Sequence, residues 1–316
     1  MRGPRPLVIG HRGAPGYLPE HTASSFELAI RQGADAIEVD VVATADGVPL
    51  IRHERELGGT TDVGGRPEFA SRRREGVVDG RRRTGWFAED FTWDELQTLR
   101  ARERMPRLRI ASAVHDGAER LLRLSDAASI AAAADVLLVV EIKEARVSAE
   151  LGLPLTELVT GDLARLPQRP DVVIESFERT PLLAMRDAAA GWPIVYLLDD
   201  HGRAADTPEG GPTYAAELAD PAALEQFDGV SLPTSLVTPG RTALLHEAGL
   251  GVWTWTLRPE NRFLEPTYRR GTAPGARGDW DASWSRLIAA DVDGVFVDHP
   301  DLAVGLRDAA LERARR

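Results

Sequence analysis

Nine short runs of β-branched and aliphatic residues recur along the chain, and amphipathic or alanine-rich segments separate them. The runs cover 7–10, 36–42, 48–53, 136–142, 172–176, 194–198, 228–232, 251–256 and 293–297. Parallel strands joined by crossover helices produce this alternation, so the pattern predicts an α/β fold. A TIM-type (β/α)8 barrel fits best, and it needs eight strands. The extra run is either 228–232 or a neighbour of the Asp46-Gly47 turn.

Several short motifs predict where helices begin and end. The signals are capping boxes, prolines at the first helical position and terminal glycines. Ser24-x-x-Glu27 and Thr92-x-x-Glu95 fit capping boxes, and Thr180-Pro181 and Thr238-Pro239 place proline at the first helical position. Gly33 and Gly249 lie where helices should end. The alanine-rich stretch predicts a helix over 127–134 that runs into the strand at 136–142.

Two segments interrupt the alternation of strands and helices. Residues 54–115 are a polar, arginine-rich insertion after the third predicted strand. We expect them to form a small cap or long loops over one mouth of a single barrel domain that spans 1–316. Residues 262–285 are expected to form an extended loop near the last strand.

The insertion contains an arginine cluster and an aromatic cluster. The arginines at 72–74 and 81–83 fit a solvated face better than the steering of an anionic substrate. The aromatic residues fit a small satellite core better than contact with a head group such as choline. They are Trp86, Phe87, Phe91 and Trp93.

Composition argues against several classes of protein. The chain contains no cysteine, so any metal must bind oxygen or imidazole. The formal net charge of −11 repels the backbone of nucleic acid, which argues against that partner. The apolar run near the N-terminus, Leu7 to Ile9, is too short for a signal peptide, and no later run is long enough for a membrane span. A cytoplasmic location is expected.

Two acidic residues lie two positions apart in the predicted strand at 36–42. Glu38 and Asp40 therefore point to the same side of that strand. Two carboxylates on one buried face repel each other unless a cation neutralises both. The simplest interpretation is that a divalent ion binds both carboxylates. The alternative is that one of the two faces a helix dipole or an arginine at the barrel end.

A second pair of charged residues lies at the end of the predicted strand at 136–142. Glu141 and Lys143 again share one side, and Lys143 is the only lysine in the chain. Glu141 can supply a third oxygen ligand, and the compact ammonium of Lys143 can hold a phosphate oxygen or an alkoxide. An internal ion pair between the two is the structural alternative.

Two histidines follow predicted strands. His11 comes after the strand at 7–10 and His53 ends the strand at 48–53, so in a barrel both would stand at the carboxyl ends of strands, where active sites form. Two imidazoles there can act as general base and general acid on one phosphodiester, and Arg12 can bind its non-bridging oxygens. Other histidines are assigned to structural hydrogen bonds, namely His115, His201 and His246.

The stretch from His11 to Asp62, which begins HRGAPGYLPEHT, resembles the glycerophosphodiester phosphodiesterase family. The similarity continues through GWFAEDFTWDELQTLRARER, VVEIK, IESF, VWTWT and DGVFVDHPD, and it covers most of the chain. This resemblance implies a (β/α) barrel with a small insertion after the third strand. It also implies metal-assisted hydrolysis to glycerol 3-phosphate and an alcohol, with Ca²⁺ or Mg²⁺ as cofactor.

The resemblance assigns roles to individual residues. It implies His11 and His53 as the catalytic pair, Glu38, Asp40 and Glu141 as metal ligands, Arg12 and Lys143 as phosphate contacts, and Trp255 as an aromatic side chain at the mouth of the site.

The chain departs from the family pattern at three places. His21 stands where the family has an asparagine, and it either adds a donor near the site or replaces an amide in a loop. Glu54 stands where the family has an aspartate, and it keeps the charge with a longer reach. Residues 121–126 match the family's proline-threonine-leucine segment poorly, which puts the shape of the substrate rim in question.

The resulting hypothesis is a metal-dependent phosphodiesterase that acts on a small glycerophosphodiester, with water or the neighbouring glycerol hydroxyl as nucleophile. One alternative is a lysophospholipase D-like or sphingomyelinase D-like enzyme acting on lipid head groups, which needs an exposed apolar rim. Another is a catalytically silent barrel that binds phosphodiesters as a sensor or scaffold. The preferred alcohol, the resident ion and the oligomeric state stay open at this point.

Overall fold

The computed structural model describes residues 5–78, 80–188 and 191–314. The strands are β1 (Leu7–Gly10), β2 (Ala36–Ala43), β3 (Pro49–Ile51), β4 (Arg74–Val78), β5 (Arg81–Gly85), β6 (Leu137–Ile142), β7 (Val172–Ser176), β8 (Ile194–Leu197), β9 (Gly229–Pro233), β10 (Gly251–Leu257) and β11 (Gly294–Val297). Eight of them pair in parallel in the order β1, β2, β6, β7, β8, β9, β10 and β11, and β11 pairs again with β1. This closed ring confirms the predicted barrel.

Helices follow most of the barrel strands and surround the ring. They are α1 (Ala23–Arg31), α2 (Trp93–Leu96), α3 (Ile110–Ala113), α4 (Leu124–Ala134), α5 (Ala145–Glu150), α6 (Leu155–Ala164), α7 (Arg179–Asp187), α8 (Tyr214–Leu218), α9 (Pro239–Glu247), α10 (Trp280–Ala289) and α11 (Pro300–Ala314). The helix predicted over 127–134 is α4, which begins earlier, at Leu124. The loop predicted over 262–285 is wrong at its end, because α10 begins at Trp280 and buries Trp284.

Of the nine runs predicted from the sequence, the one outside the ring is 48–53, which forms β3. It runs antiparallel to β2, with Leu50 opposite Val42, and it lies outside the ring. The run at 228–232 is the barrel strand β9. Of the two alternatives left by the sequence, the neighbour of the Asp46-Gly47 turn is therefore the extra strand.

Most helix-end motifs act as predicted. Thr92 and Glu95 form a capping box, Thr238 caps α9 with Pro239 first, and Gly33 and Gly249 follow α1 and α9 with positive φ angles of 88° and 82°. These positive angles suit glycine, which has no side chain to strain.

Two predicted helix starts are wrong. The cap of α1 is Thr22, whose side chain accepts from the backbone N–H of Ser25 at 3.3 Å, and Ser24 lies inside the helix. Helix α7 begins at Arg179, two positions before Pro181. The distant carboxylate of Asp206 accepts the backbone N–H of Thr180 at 2.6 Å, so a tertiary contact replaces the expected local cap.

The inward face of the barrel changes character along its axis. An apolar layer fills the amino-terminal part, and its buried members are Ile9, Ala36, Val139, Val173, Val195, Trp253 and Phe296. Two positions further along β2, β6 and β7, the same face carries Glu38, Glu141 and Glu175. Side chains alternate along a strand, so one period-two pattern builds both an apolar floor and an acidic layer above it.

Residues 54–115 supply most of a second hydrophobic core, which also includes Val42 of β2 and Leu50 of β3. Phe69, Phe91 and Leu96 are buried there, with Trp86 and Trp93 packed against them, as the satellite-core interpretation predicts. Within the described chain, the arginine clusters at 72–74 and 81–83 contribute nothing to the lining of the charged cavity at the barrel mouth. Arg72 and Arg74 instead pair with acidic residues of the same segment.

A helix that crosses a bilayer needs about 20 mostly apolar residues. Every helix within residues 5–78, 80–188 and 191–314 is too short or too polar to meet this requirement.

Candidate active site

A cavity of about 260 Å³ opens at the carboxyl ends of the barrel strands. Seven of the eight site residues predicted from the sequence line it, namely His11, Arg12, Glu38, His53, Glu141, Lys143 and Trp255. Glu175, Phe177 and Arg258 are further members of its wall. Asp40 is the predicted residue that lies behind the wall instead of in it.

The turn after β1 brings Arg12 against β2. Arg12 has a positive φ of 57°, and its backbone N–H donates to Oε2 of Glu38 at 2.8 Å. A side chain on the next residue, Gly13, would place its Cβ 2.7 Å from the backbone of Ser25. This close approach to α1 explains why glycine follows Arg12 in the motif.

Three buried carboxylates face one another in the cavity. Glu38, Glu141 and Glu175 each offer an oxygen, and these oxygens lie within 4.8 Å of one another. Glu175 was not among the residues predicted from the sequence, although it lies next to the end of an apolar strand, as Glu141 does. Its Oε2 atom is buried and has no hydrogen-bond partner among the described residues. An acidic group of this kind can hold a hard metal ion.

Asp40 is surrounded by basic groups. Its Oδ2 atom lies 3.0 Å from Nε of Arg12 and 2.9 Å from Nε2 of His21, and its Oδ1 atom lies 3.7 Å from Nζ of Lys143. Asp40 is ionised and its oxygens only accept, so Nε2 of the fully buried His21 is the donor. The sequence had left this role as one of two options for His21. Oδ1 of Asp40 is buried and makes no hydrogen bond to the described part of the chain.

The pKa values of these four carboxyl groups shift in different directions. Burial raises the pKa of Glu38 and Glu175, and neighbouring carboxylates raise both further. Burial also raises the pKa of Glu141, to about 8, although Lys143 opposes the shift. Burial alone would raise the pKa of Asp40, but Arg12 and Lys143 hold it well below its usual range. The protein's own cations therefore neutralise Asp40 more fully than its neighbours, which favours a further positive charge in the cavity.

His11 is anchored by an acidic residue from the opposite end of the chain. Its Nδ1 atom lies 2.8 Å from Oδ1 of Asp298, which follows β11. Burial would raise the pKa of Asp298, but Arg258 and Arg109 hold it well below its usual range. An ionised carboxylate only accepts hydrogen bonds, so His11 carries its proton on Nδ1 and leaves Nε2 free. Burial, with Arg12 nearby, lowers the pKa of His11 to about 4.

His53 has the same kind of anchor from its sequence neighbour. Its Nδ1 atom lies 2.7 Å from Oε1 of Glu54, and its Nε2 atom lies 3.3 Å from Nζ of Lys143. Glu54 thus reaches the imidazole although it replaces the shorter aspartate. Lysine only donates, so Nε2 of His53 carries no proton and its lone pair accepts from Nζ of Lys143. Burial, Arg12 and Lys143 lower the pKa of His53 to about 3.

The route by which His53 reaches the cavity differs from the prediction. His53 does not stand at the carboxyl end of a barrel strand, because β3 runs back along β2 in the opposite direction. The backbone N–H of Arg52 donates to the carbonyl of Asp40 at 3.0 Å. His53 therefore lies level with the middle of β2, beside Asp40.

An aromatic wall completes the mouth of the cavity. Trp255 meets Phe177 edge to face at a ring distance of 5.7 Å, and Nζ of Lys143 lies 5.6 Å from the ring centre of Phe177. Away from this wall, His246 bonds to Asp293, which fits its structural assignment, and His201 lies exposed beside Asp200.

The fold and the cavity define a class of protein, the TIM-barrel hydrolases with an acidic, histidine-flanked pocket at the carboxyl face. Residues 11–302 match the model of the glycerophosphoryl diester phosphodiesterase family. The chain belongs to this family, whose members hydrolyse glycerophosphodiesters, and the resemblance seen in the sequence is confirmed.

Individual relatives agree with this membership. The chain is 30% identical over 324 residues to glycerophosphodiester phosphodiesterase GDPD6 of Arabidopsis thaliana, covering 93% of this chain and 84% of that protein. A putative glycerophosphoryl diester phosphodiesterase from Silicibacter pomeroyi superposes with a TM-score of 0.70 at 26% identity, over 95% of this chain and 92% of the other. An Oleispira antarctica phosphodiesterase, solved with the product sn-glycerol-3-phosphate, superposes with a TM-score of 0.67 at 20% identity, over 96% and 97%.

Proposed function

We propose that this protein hydrolyses glycerophosphodiesters to glycerol 3-phosphate and an alcohol, using a divalent cation, Ca²⁺ or Mg²⁺, and His11 and His53 as general acid and base. The proposal rests on the observation that two imidazoles, each held at Nδ1 by a carboxylate, line the same cavity as a cluster of buried carboxylates.

The donor atoms available for a metal ion are oxygens. Glu38, Glu141 and Glu175 would hold the ion, since their oxygens lie within 4.8 Å of one another. Asp40, which the sequence predicts as a ligand, would contribute through its Oδ1 atom, which is buried and unpartnered among the described residues. All-oxygen sets suit Ca²⁺ and Mg²⁺, and the unpartnered buried oxygens of Asp40 and Glu175 fit such a ligand. When bound, the cation supplies positive charge that stabilises the phosphate oxygens as the diester is cleaved.

The histidines can exchange protons with the reacting groups. Both are neutral in the free protein near pH 7, because burial lowers the pKa of each. One imidazole can therefore accept the proton of the nucleophile, which is water or the neighbouring glycerol hydroxyl. A phosphodiester anion in the cavity would raise the pKa of the other imidazole, which could then take up a proton from solvent and donate it to the leaving alcohol.

Basic and aromatic residues fit the two ends of the substrate. Arg12 and Lys143 line the cavity beside the acidic cluster, where they can bind non-bridging phosphate oxygens. Trp255 and Phe177 form its aromatic wall and suit the alcohol part of the diester. The product complex of the Oleispira antarctica phosphodiesterase supports the same chemistry here.

The experiment is a release assay for glycerol 3-phosphate. Glycerophosphocholine, glycerophosphoethanolamine and glycerophosphoinositol are each supplied to the protein with EDTA and then with Ca²⁺ or Mg²⁺ restored. We expect turnover with at least one substrate, its loss in EDTA and its return with one of the two ions. Unchanged turnover in EDTA contradicts the metal-dependent mechanism.

The same assay separates the proposal from its alternatives. Faster cleavage of lysophosphatidylcholine than of glycerophosphocholine would favour an enzyme acting on lipid head groups. Binding of glycerophosphodiesters without turnover, in a protein replete with metal, would favour a silent phosphodiester-binding barrel.

A further inference from the structure

One segment of the insertion, residues 104–109, contacts the carboxylate partners of both proposed catalytic histidines. Arg104 begins the segment and contacts Glu54, the anchor of His53. Arg109 ends it and contacts Asp298, the anchor of His11. The two arginines are five positions apart in the chain, whereas the two histidines are distant in sequence.

Arg109 makes a buried ion pair with the anchor of His11. Its Nη2 atom donates to Oδ2 of Asp298 at 2.6 Å, and its Nε atom donates to Oε1 of Glu260 at 2.8 Å. The side chains of Arg109 and Asp298 are 4% and 1% exposed. A buried carboxylate stays ionised only beside a counter-charge, which Arg109 supplies together with Arg258. Oδ2 is thereby occupied, and Oδ1 remains for His11.

Arg104 holds the anchor of His53 with both ends of its guanidinium. Its Nη1 and Nη2 atoms donate to the two oxygens of Glu54 at 2.6 and 2.8 Å. Its Nε and Nη2 atoms donate to the two oxygens of Glu20 at 2.7 and 2.6 Å. Two-pronged pairs of this kind restrict the rotation of a carboxylate, so Glu54 is fixed where it meets Nδ1 of His53.

A buried glutamate stabilises the turn between the arginines. Oε1 of Glu103 accepts the backbone N–H of Met105 at 2.8 Å, and Oε2 accepts the hydroxyl of Ser112 at 2.5 Å. The backbone N–H of Arg109 donates to the carbonyl of Met105 at 2.9 Å. These bonds hold the backbone of the turn that carries both arginines.

We propose that Arg104 and Arg109 are positioning residues that set the orientation of both histidines through Glu54 and Asp298. One turn of the insertion thus couples the two proton-transfer groups. This inference rests on the proposed function, because it assigns the two histidines to proton transfer.

Single variants test each arginine separately in the protein supplied with Ca²⁺ or Mg²⁺. Arg104→Met and Arg109→Met should each lower kcat about 10- to 100-fold while KM stays within about twofold, because small displacements of reacting groups are costly to turnover. Arg104→Lys and Arg109→Lys keep the charge and should recover part of kcat. Arg107→Met is the matched control, because Arg107 is exposed in the same segment. Wild-type kcat in both Met variants overturns the inference.

Double variants separate positioning from a general loss of stability. Arg109→Met should have an effect of less than about twofold in an Asp298→Asn background, because the arginine acts through that carboxylate. Arg104→Met should behave in the same way in a Glu54→Gln background. Equal losses in the presence and absence of each carboxylate overturn the inference.

Histidine NMR gives a readout that does not depend on turnover. In protein labelled with ¹⁵N-histidine, Arg109→Met should shift the Nδ1 resonance of His11, Arg104→Met that of His53, and Arg107→Met neither. Unmoved resonances overturn the inference even in an active enzyme. If wild-type protein with Ca²⁺ or Mg²⁺ hydrolyses no glycerophosphodiester, the proposed function fails, and these resonances still report on the positioning.

Discussion

His11 and Asp298 meet at 2.8 Å although 287 positions separate them in the chain. The contact follows from the closure of the barrel, because β1 pairs in parallel with β11 and both residues come directly after their strands. The carboxylate thereby selects one tautomer of His11, and the free Nε2 atom becomes the one that can exchange protons.

Replacement of Asp298 by asparagine should impair turnover while keeping the shape of the side chain. The amide can donate to Nδ1 and so favour the opposite tautomer of His11. We expect kcat to fall about 10²- to 10⁴-fold, as for loss of a correctly oriented base. Steady-state release of glycerol 3-phosphate measures the effect, and Asp301→Asn, at an exposed position nearby, is the control. Near-native kcat would contradict the role given to Asp298.

Alanine at either histidine should abolish most activity without unfolding the protein. Each positioned acid or base contributes about 10²- to 10⁴-fold to the rate. His11→Ala and His53→Ala should therefore show such losses in kcat with an unchanged circular dichroism spectrum. His201→Ala changes an exposed histidine and should leave kcat at the wild-type level. Wild-type turnover in either of the first two variants refutes the assignment.

The single lysine should be irreplaceable by arginine. Nζ of Lys143 lies 2.8 Å from Glu141 and 3.3 Å from His53, so a wider planar group cannot occupy the same point. We expect Lys143→Arg to lower kcat about 10- to 100-fold despite the retained charge. Comparison of kcat and KM with those of Lys143→Met shows how much of the effect is charge. Full activity of the arginine variant would mean that charge alone is required.

Acid should weaken the fold in part through His299. Burial lowers the pKa of His299 from 6.5 to about 4, so the unfolded chain takes up a proton at a higher pH than the folded protein does. The stability from this group is complete above pH 6.5 and is lost as the pH falls towards 4. We expect protonation of His299 in the unfolded chain to lower the unfolding free energy by about 2 kcal/mol between pH 7 and pH 5.

Urea unfolding at several pH values tests this expectation. The variant His299→Gln should show a shallower decline in unfolding free energy between pH 7 and pH 5 than the wild type. His201→Gln, at an exposed histidine, serves for comparison. An identical decline in His299→Gln and the wild type would rule out this contribution.

Helix α1 offers a test of its observed cap. Thr22→Ala removes the oxygen that accepts from Ser25, and we expect a loss of about 1 kcal/mol in unfolding free energy. Ser24→Ala lies within the helix, and its effect should be much smaller. Thermal or urea unfolding compares the two. A larger loss for Ser24→Ala would restore the capping box suggested by the sequence.

Much of the barrel and of its acidic layer was predictable from local patterns. A strand turns alternate side chains to opposite sides whatever its partners are, so the spacing of Glu38 and Asp40, or of Glu141 and Lys143, indicates a shared face. Glu175 follows the same rule, and the apolar run that precedes it was the signal that could have found it.

Other contacts depend on the tertiary arrangement and leave no local signal. Asp298 meets His11 only when the ring closes, and Asp206 replaces the expected cap of α7 from a different loop. The direction of β3 depends on its pairing with β2, and the run at 48–53 carries no mark of it. Arg104 and Arg109 are two among many arginines in the insertion, and spacing alone does not distinguish them.

Because β3 lies outside the ring, the insertion follows a strand that is not part of the closed barrel. Changes in the length of the insertion need not disturb the hydrogen bonds among the eight barrel strands. The insertion can therefore change during evolution while the barrel strands stay constant, provided that cationic groups still contact the carboxylates that hold His11 and His53.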